Sequence, residues 1–583
     1  MDTVMKKYLF IITIYCSIAS SFVSCTDELL KKPFGSDLDV EKIFSSKEVA
    51  LSAISEAYFR SLMSGITLKG SGDWNWGLNG GTLSNLSGEL CNNGAANWVG
   101  VATITNGGYS ASRPTDDNFG FNYKAIKQCF LVIENIDRVP DMTADEKNAV
   151  KAEMKTLIAY RYEEMFKRYG GVPIVNKSLT LEDDMMIPRS GLQELLDYII
   201  TLCDEAYVDL PDTYPDAFKG RVTKGVALAI KAEALIYAAR PLFNSAAPYM
   251  DLGADNQLIC FGNYSEQRWR DAAAASEAVI QWAANHGYYI INTGSPLDDY
   301  GTAVSTPNNP EIILAYKRTG DDIYSCRTQT GAAQGMSYNL LTQYLKADGT
   351  EQAWPADDVE RTYSEYATKI QEMEPRYKAS AGAAGIDPWN NPNDESWRSY
   401  RLSGIPSWFN SGKNCEYCGR RVKFFYHAGN RTWMEFPIYR LAEFYLNIAE
   451  AANETGDTDA ALSKLNVIRE RAGFGGNSIT ERDRTKLRKI IQREWAVEFY
   501  EESHRLHDVK HWKLEDIGNG IIGGAQRGFF YTYNKSEPPF YDTNYITYSV
   551  QKRYDATWAP YMHLNPFPQS EVNKGYLIQN PGY

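Results

Sequence analysis

Residues 438–473 read IYRLAEFYLNIAEAANETGDTDAALSKLNVIRERAG, and this stretch indicates the fold. Two apolar runs recur in it at helical spacing, separated by a break at Gly456 and Asp457. The runs are Leu441, Tyr445, Ile448 and Ala452, then Ala461, Leu465, Ile468 and Ala472. The second run ends at Gly473, so the spacing predicts an antiparallel helix hairpin on the scale of one tetratricopeptide unit.

Three more segments combine helical periodicity with start or stop signals. One begins at Thr143, where Glu146 completes a capping box, and ends before the glycines at 170 and 171. A second begins near Thr223 and must stop by Pro241. A third, about residues 482–512, repeats apolar residues at every fourth position: Leu487, Ile491, Trp495 and Phe499. We therefore predict a mainly α fold built on helix pairs.

Two long stretches, about 68–122 and 287–436, show little helical period and are rich in turn-forming residues. We expect loops with short strands in both. The helical scaffold is then expected at about 40–66, 124–286 and 437–512. Loops of this length are uncommon unless they are functional or disordered, and the three tryptophans within 68–122 argue against disorder.

The first 24 residues have the organisation of a secretory signal. Lys6 and Lys7 precede a short apolar run, too short to span a bilayer as a mature helix. The signal as a whole ends in Ser-Phe-Val-Ser before Cys25, which resembles a bacterial lipobox, so we expect Cys25 to carry the lipid anchor. An acidic stretch follows, similar to the signal that takes some Gram-negative lipoproteins to the outer face. Residues 25–583 are expected to form one domain.

Composition excludes several other classes of protein. Hydrophobic residues make up 44% and charged residues 23% of the 583, an ordinary globular mix. The formal net charge of -13 argues against nucleic acid as a partner.

The nine cysteines are scattered along the chain, so they do not have the spacing of a dense disulfide framework. Cys415 and Cys418 form the one close pair, and a zinc site would need two more ligands, of which only His427 stands near. Thiols or a local disulfide are the favoured interpretation, and no cofactor is expected.

Four sequence blocks resemble the SusD/RagB family of outer-membrane nutrient-binding lipoproteins, and together they span nearly all of the chain. The blocks are YRYEEMFKRYGGVPI at 160–174, GRVTKGVALAIKAEA at 220–234, NVIRERAG at 466–473 with REWAVEFYEESHRLHD at 493–508, and NPFPQSEVN at 565–573 with the terminal QNPGY. Two departures are mild. Glu374-Pro-Arg376 replaces a frequent Asp-Pro-Arg, and Ser503 occupies a frequent glycine position.

The resemblance implies a right-handed superhelix of tetratricopeptide-like helix pairs that supports an irregular ligand-binding face. It implies a surface protein, anchored in the outer membrane and facing outward, that captures a glycan and delivers it to a SusC-like TonB-dependent transporter without catalysing a reaction. Three alternatives remain at this point: a lipid-anchored glycoside hydrolase, a peptide-binding relative, and a scaffold for another protein.

Candidate ligand-binding residues lie in the first irregular stretch. Sugar rings pack their apolar faces on aromatic rings and offer hydroxyls to amide and charged groups. The residue types suited to this chemistry are Trp74, Trp76, Asn97, Trp98, Tyr109 and Arg113. The same tryptophans could instead anchor the loop to the helices. Weaker candidates follow in the second stretch: Tyr324, Trp354, Trp389, Trp397 and Trp408.

The polar residues of block 493–508 could be mistaken for a catalytic set. We interpret them as a structural ion-pair network, in which Glu501 with Arg505 and His504 with Asp508 stand four apart on one helix and can pair. Acidic runs such as Glu182-Asp183-Asp184 are better explained as solvated loops, because glycoside hydrolysis requires two carboxylates held across a bond.

Overall fold

The computed structural model describes residues 40–62, 82–92, 110–112, 119–319, 334–383, 386, 418–427, 431, 433–476, 478–534 and 543–583. The longer helices within these ranges are α1 (Lys47–Leu62), α2 (Phe119–Asn135), α3 (Ala144–Tyr169), α4 (Leu192–Asp209), α5 (Lys224–Ala239), α6 (Glu266–Asn285), α7 (Pro296–Ser305), α8 (Tyr363–Glu372), α9 (Pro375–Ser380), α10 (Leu441–Thr455), α11 (Thr458–Arg469), α12 (Arg484–Glu498) and α13 (Arg505–His511). Shorter helices are Val40–Ile43, Thr82–Leu86, Tyr338–Leu341 and Gln569–Val572.

The helices pack on one another as successive pairs. In the first part of the scaffold α2 packs on α3, α3 on α4, and α5 on α6. Helix α6 then contacts α10, which pairs with α11, although the two pairs are far apart in sequence. One hydrophobic core, from Phe44 to Leu577, runs through α1 to α6 and reaches α10, whereas the buried face of α11 belongs to a separate core with α10 and α12. The fold is the mainly α, paired-helix scaffold that the sequence predicted. Within the described part of the chain, no helix has both the length and the apolar character needed to cross a membrane.

The predicted helix boundaries are confirmed where capping chemistry specified them. Thr143 accepts a hydrogen bond from the Glu146 amide at 3.2 Å, and the Glu146 side chain accepts one from the Thr143 amide at 2.8 Å. In the 438–473 hairpin, Gly456 ends α10 in the left-handed region with φ 84°. Asp457 then caps α11 by accepting from the Ala460 amide at 3.1 Å. A wide turn closes the hairpin at Gly473, whose φ is 97°.

The prediction of one helix over 482–512 is wrong in one respect. Helix α12 ends at Glu498 and α13 begins at Arg505, so the segment 499–504 separates two helices. Glu501 and Ser503 both have positive φ, at 61° and 70°, which an α-helix does not permit. Apolar spacing up to Phe499 gave no sign of this break.

The stretch 287–436 also contains more helix than predicted, namely α7, α8 and α9. Within the described residues its strands form three small antiparallel sheets together with one strand from the first irregular stretch and two near the C-terminus. The strands are β1 (Leu90–Asn92), β2 (Ile312–Thr319), β3 (Gln334–Met336), β4 (Arg361–Thr362), β5 (Ala381–Gly382), β6 (Arg420–Arg421), β7 (Trp433–Arg440), β8 (Gly524–Tyr533) and β9 (Ile546–Ala556). The sheet orders are β1-β3-β6-β5, β2-β7 and β4-β9-β8. A second core, centred on Tyr366 and Phe529, lies beneath the third sheet.

Candidate functional site and the network that supports it

The residues predicted to bind ligand all lie outside the described residues. They are Trp74, Trp76, Asn97, Trp98, Tyr109 and Arg113. The predicted anchor Cys25 also lies outside them, as do Cys415 and the weaker candidates Tyr324, Trp389, Trp397 and Trp408. The structure does describe the four-stranded sheet that borders several of these stretches in sequence.

In this sheet the two irregular stretches meet. Strand β1 pairs antiparallel with β3, and Asn92 is the Cα partner of Gln334. The chain continues from Asn92 toward Trp98, and it reaches Gln334 from the direction of Tyr324. Two regions that are far apart in sequence and each carry candidate aromatic residues therefore join the sheet at neighbouring positions.

Short hydrogen bonds fix the sheet to its surroundings. The Ser337 hydroxyl, just after β3, donates to the Gly88 carbonyl at 2.6 Å, and the Ser337 amide donates to the Glu89 carbonyl at 2.9 Å. The Tyr377 hydroxyl, on α9, donates to the Cys418 carbonyl at 2.6 Å. The ends of β1, β3 and β6 are thereby held by buried groups.

The break between α12 and α13 connects this sheet to the helical scaffold. Because the helix stops, the carbonyls of Glu498 and Tyr500 are free to accept from the Lys423 ammonium, at 3.1 and 2.7 Å. Lys423 follows β6 and is fully buried. The Glu501 carboxylate forms an ion pair with Arg421, in β6 itself. The left-handed residues thus turn polar backbone and side-chain groups toward the sheet.

Glu498 is the centre of the buried charge network. Its carboxylate accepts from Arg440 at 2.6 Å and from Arg376 at 3.1 Å, and it also pairs with Arg471. Burial alone would raise the pKa of Glu498, but the three guanidinium groups outweigh burial and hold the pKa well below its ordinary range. The carboxylate is therefore ionised and fully engaged.

Further carboxylates extend the network to other elements. Arg440 also donates to Glu502 at 2.7 Å, and Arg471 donates to Glu311 at 2.8 Å. Arg376 donates to Glu374 at 2.7 Å, within the Glu-Pro-Arg segment. All of these side chains are buried. The network joins α9, α12, β7 and the turn after α11 into one rigid unit.

A second buried cluster forms around Arg240, after α5. Its guanidinium makes a bidentate pair with Glu450 of α10, both distances being 2.9 Å, and donates to Asp508 of α13 at 2.6 Å. The Tyr237 hydroxyl donates to the same Asp508 oxygen at 3.0 Å. Asp508 therefore pairs with a residue far away in sequence.

The interpretation of block 493–508 as a structural network is confirmed, but the local pairs predicted within it are wrong. Glu501 pairs with Arg421, and Asp508 pairs with Arg240. For Glu501 the physical reason is the broken helix, because residues four apart face each other only on a continuous helix. His504 and Asp508 do lie on one helical turn, where the Asp508 amide donates to the His504 carbonyl, but the Asp508 carboxylate accepts from Arg240 and Tyr237 instead. Burial lowers the pKa of His504 to about 3, so its imidazole is neutral near pH 7.

The carboxyl group of Glu89, beside the α12–α13 break, has a pKa near neutral pH. Burial raises its pKa to about 7, and the Arg505 charge opposes that shift. One Glu89 oxygen accepts from the Glu501 amide at 3.1 Å, and the other accepts from the Ser87 hydroxyl at 3.1 Å. Glu89 precedes β1 directly, so it links the strand that leads toward Trp98 to the α12–α13 break.

Trp354 is the candidate aromatic that the structure does describe. It is half-buried and packs its ring 5.4 Å from Phe529 and 6.5 Å from Tyr338, centroid to centroid. These contacts make it part of the edge of the second core. Among the described residues, no group of three or more His, Cys, Asp or Glu side chains is arranged to hold a metal ion.

Comparison with known proteins gives this architecture a family. A family model described as the SusD family matches residues 287–583, just over half of the chain. The chain belongs to the SusD family. A second model, described as starch-binding and associating with the outer membrane, matches residues 90–235. This range begins at β1 and includes four of the predicted site residues: Asn97, Trp98, Tyr109 and Arg113.

Individual SusD relatives cover most of the molecule. SusD-like protein P38 of Formosa agariphila is 30% identical over 69% of this chain and 74% of its own length. The starch-binding protein SusD of Bacteroides thetaiotaomicron is 23% identical over 70% of this chain and 73% of its own. A solved SusD-like structure from Bacteroides fragilis superposes with a TM-score of 0.73 at 24% identity, covering 93% of this chain and 98% of that one. A laminarin-binding SusD-like protein gives a TM-score of 0.56 at 17% identity, covering 93% and 100%.

Proposed function

We propose that this SusD-family protein is a cell-surface lipoprotein that captures an oligo- or polysaccharide and passes it to a SusC-like TonB-dependent transporter. The main support for the proposal is that family models match both halves of the chain. The N-terminal match is to a model described as starch-binding. In the proposal Cys25 holds the lipid anchor, residues 25–583 form one domain, and Trp74, Trp76, Asn97, Trp98, Tyr109 and Arg113 contact the glycan.

The geometry of the described sheet supports a loop-borne site. Asn92 and Gln334 are paired, so aromatic residues from two distant stretches can be presented from one support. The Glu498 network keeps that support rigid, because its charges lock β6 and the α12–α13 break to the helices. A preorganised support lowers the ordering cost of binding.

The carboxylates that resemble a catalytic set support binding in preference to hydrolysis. A glycoside hydrolase needs one carboxyl group as acid and another as base or nucleophile, free to face the bond. Glu498, Glu502 and Asp508 are each buried and paired with arginine. We infer a non-enzymatic role.

The experiment is a retention and product assay on residues 26–583. The protein is run in affinity gels that contain plant, host or microbial polysaccharides, and parallel incubations are analysed for new reducing ends. We expect retention by at least one polysaccharide with no released sugar. Released sugar would support the hydrolase alternative, and retention by none of the gels combined with binding to peptides would support the peptide-binding alternative.

A further inference from the structure

Four charged side chains meet between α3 and α5 in the interior of the scaffold. Glu163, Glu164 and Lys167 belong to α3, Glu233 belongs to α5, and all four are buried. The Lys167 ammonium lies 2.6 Å from Glu164, 3.0 Å from Glu233 and 3.3 Å from Glu163. Arg168 also pairs with Glu164, so that carboxylate has two cationic partners. Among the described residues, Glu163 and Glu233 have only Lys167 as an ion-pair partner, and they share it.

The hydrogen bonds of Glu163 and Glu233 bring two carboxyl groups together. Glu233 Oε1 accepts from Lys167, and Glu233 Oε2 accepts from the Tyr439 hydroxyl of β7 at 2.8 Å. Glu163 Oε2 accepts from Lys167, but no N–H or O–H group of the described residues donates to the buried Glu163 Oε1. The Glu163 and Glu233 carboxyl groups are hydrogen-bonded to each other. Because an ionised carboxylate can only accept, such a bond requires a proton on one of the two groups.

The surroundings of the Glu163–Glu233 pair supply no second positive charge near pH 7. Burial raises the pKa of the neighbouring phenols and thiol and lowers the pKa of the imidazole, so these groups are neutral, and Glu443 can only add negative charge. Besides Glu164 and Lys167, the titratable and charged groups of the described residues that face the pair are Tyr160 of α3, Cys203 of α4, Tyr237 of α5, Tyr439 of β7, Glu443 of α10 and His504 of the α12–α13 break.

We propose that Glu163 is protonated at neutral pH and donates its proton to Glu233, so that the pair carries one negative charge, which Lys167 neutralises. Two carboxyl groups that share one buried site cannot both ionise at low cost, and one of them keeps its proton. The contact between α3 and α5 is then sensitive to pH, because loss of the proton in alkaline solution places two carboxylates side by side. This contact lies in the scaffold and does not depend on the proposed glycan site.

The two adjacent glutamates of α3 therefore have opposite charge states. Burial and the Glu233 charge raise the pKa of Glu163 well above its ordinary value. Burial alone would also raise the pKa of Glu164, but the charges of Arg168 and Lys167 outweigh burial and hold that pKa well below its ordinary range. Replacing each glutamate by glutamine should consequently have different effects, although the chemical change is the same.

The Glu163→Gln protein tests the proton by urea unfolding across a range of pH. Its amide is neutral, like the protonated acid, and can donate to Glu233 while it accepts from Lys167. In the parent, the folded state binds the Glu163 proton more tightly than the unfolded chain, so the resulting stability is present below the unfolded pKa and falls as pH rises toward the folded pKa. Over that range the unfolding equilibrium constant of the parent, divided by that of the variant, should rise about tenfold per pH unit. A ratio that does not change with pH would overturn the proposal.

Glu164→Gln is the matched control, one residue further along α3. It removes a carboxylate that is ionised between Lys167 and Arg168, so at mildly acidic pH it should raise the unfolding equilibrium constant about a hundredfold or more. At the same pH, Glu163→Gln should change that constant less than about tenfold, because it keeps the charge of the protonated group. An equally large loss of stability at Glu163 and Glu164 would show that Glu163 is ionised and would overturn the proposal.

Infrared difference spectroscopy at neutral pH detects the proton itself. The spectrum of the parent minus that of Glu163→Gln should contain the carbonyl stretch of a protonated carboxylic acid, which shifts in D2O. Glu205→Gln, at an exposed position on α4, is the control, and its difference spectrum should contain carboxylate bands without the acid band. Glu233→Gln should also remove acid absorption, because Glu163 can then ionise beside Lys167. Acid absorption that persists undiminished in both the Glu163 and the Glu233 variants would overturn the proposal.

Discussion

Arg440, the last residue of β7, donates to the Glu498 carboxylate at 2.6 Å, and both side chains are at most 1% exposed. Arg440 also donates through Nη2 to the Glu498 carbonyl at 2.8 Å. The same arginine therefore neutralises the last side chain of α12 and satisfies its last carbonyl. The end of a scaffold helix is fixed in position by a strand from the irregular region.

Glu498→Gln should strongly destabilise the protein. The substitution keeps the shape of the side chain but leaves Arg376, Arg440 and Arg471 without their shared counter-charge in a buried site. Removing one partner of a buried ion pair typically costs about 3 to 5 kcal/mol. Urea unfolding of both proteins measures the free energy of unfolding.

The matched control for this prediction is Glu205→Gln on the exposed surface of α4. Glu205 pairs with Lys155 at 2.7 Å, but the pair is largely in solvent. Exposed pairs contribute about 1 kcal/mol or less. Similar free energies of unfolding for the Glu498→Gln protein and its parent would show that the network does not stabilise the scaffold.

Ser503→Gly should stabilise the protein. Ser503 has φ 70°, a conformation that costs a residue with a Cβ atom roughly 1 kcal/mol or more, and glycine adopts it freely. Greater freedom of glycine in the unfolded chain offsets part of this gain. We expect the free energy of unfolding to rise by about 0.5 kcal/mol.

The control for Ser503→Gly is Ser55→Gly, within helix α1. Glycine inside a helix lowers stability by roughly 0.5 kcal/mol relative to serine, so the two substitutions should have opposite signs. Equal losses at both positions would mean that residue 503 lacks the left-handed conformation.

The free energy of unfolding of the Glu89→Gln protein should rise relative to that of the parent as pH rises. The pKa of Glu89 is raised by burial to about 7, above the unfolded value, so the folded state holds this proton more tightly than the unfolded chain. The contribution of Glu89 is most favourable below the unfolded pKa and is lost as pH rises toward 7. Glutamine does not titrate, so the free energy of unfolding of the Glu89→Gln protein minus that of the parent should increase by about 2 to 3 kcal/mol from mildly acidic to mildly alkaline pH.

The measurement is urea unfolding of the parent and the Glu89→Gln protein across that pH range. Other titrating groups are common to both proteins, so their contributions cancel in the difference. A difference that stays constant with pH would contradict the assignment of a raised pKa to Glu89.

Cys25→Ala should release the protein from the membrane fraction without changing the fold. Acyl chains on Cys25 would hold the protein at a bilayer, and stable anchoring needs more than one chain. Cys16→Ala, within the predicted signal, is the control and should leave the protein in the membrane fraction. Immunoblots of fractionated cells provide the measurement, and a Cys25→Ala protein that stays in the membrane would refute the anchor.

Local chemistry made the scaffold predictable. The capping box at Thr143, the stop before Pro241 and the Gly456 break each act within a few residues, and the structure confirms the helices they predicted. The sequence predicted that an ion-pair network is present but not which residues form the pairs. Arg240 and Asp508 meet only after α5, α10 and α13 have packed, and nothing in their local sequence specifies that contact.

The break after α12 shows a different limit. Apolar spacing continues through Trp495 and Phe499, which are buried as predicted, so periodicity favoured a longer helix. The signal that could have revealed the break was Ser503, which occupies a frequent glycine position in the family pattern that the sequence resembles. A frequent glycine marks a left-handed conformation, and Ser503 adopts one. Glu89, Arg421 and Lys423 were missed because their roles depend on this break.

The predicted loop site is tested by measuring glycan affinity and melting temperature together. Trp74→Ala, Trp76→Ala and Trp98→Ala are compared with Trp354→Ala, whose ring packs on Phe529 and Tyr338. Loss of an aromatic anchor in a binding site commonly costs about 2 kcal/mol, and about 1.4 kcal/mol is a tenfold change in affinity. Loss of a core aromatic residue instead lowers stability.

The most direct test of saccharide binding by Trp74, Trp76 and Trp98 is to measure the affinity of the three loop variants, and of the parent, for the retained polysaccharide. We predict that each loop variant binds at least tenfold more weakly with an almost unchanged melting temperature, whereas Trp354→Ala melts at a lower temperature and its folded fraction binds normally. Full-strength binding by all three loop variants would contradict the proposal that these tryptophans bind the saccharide.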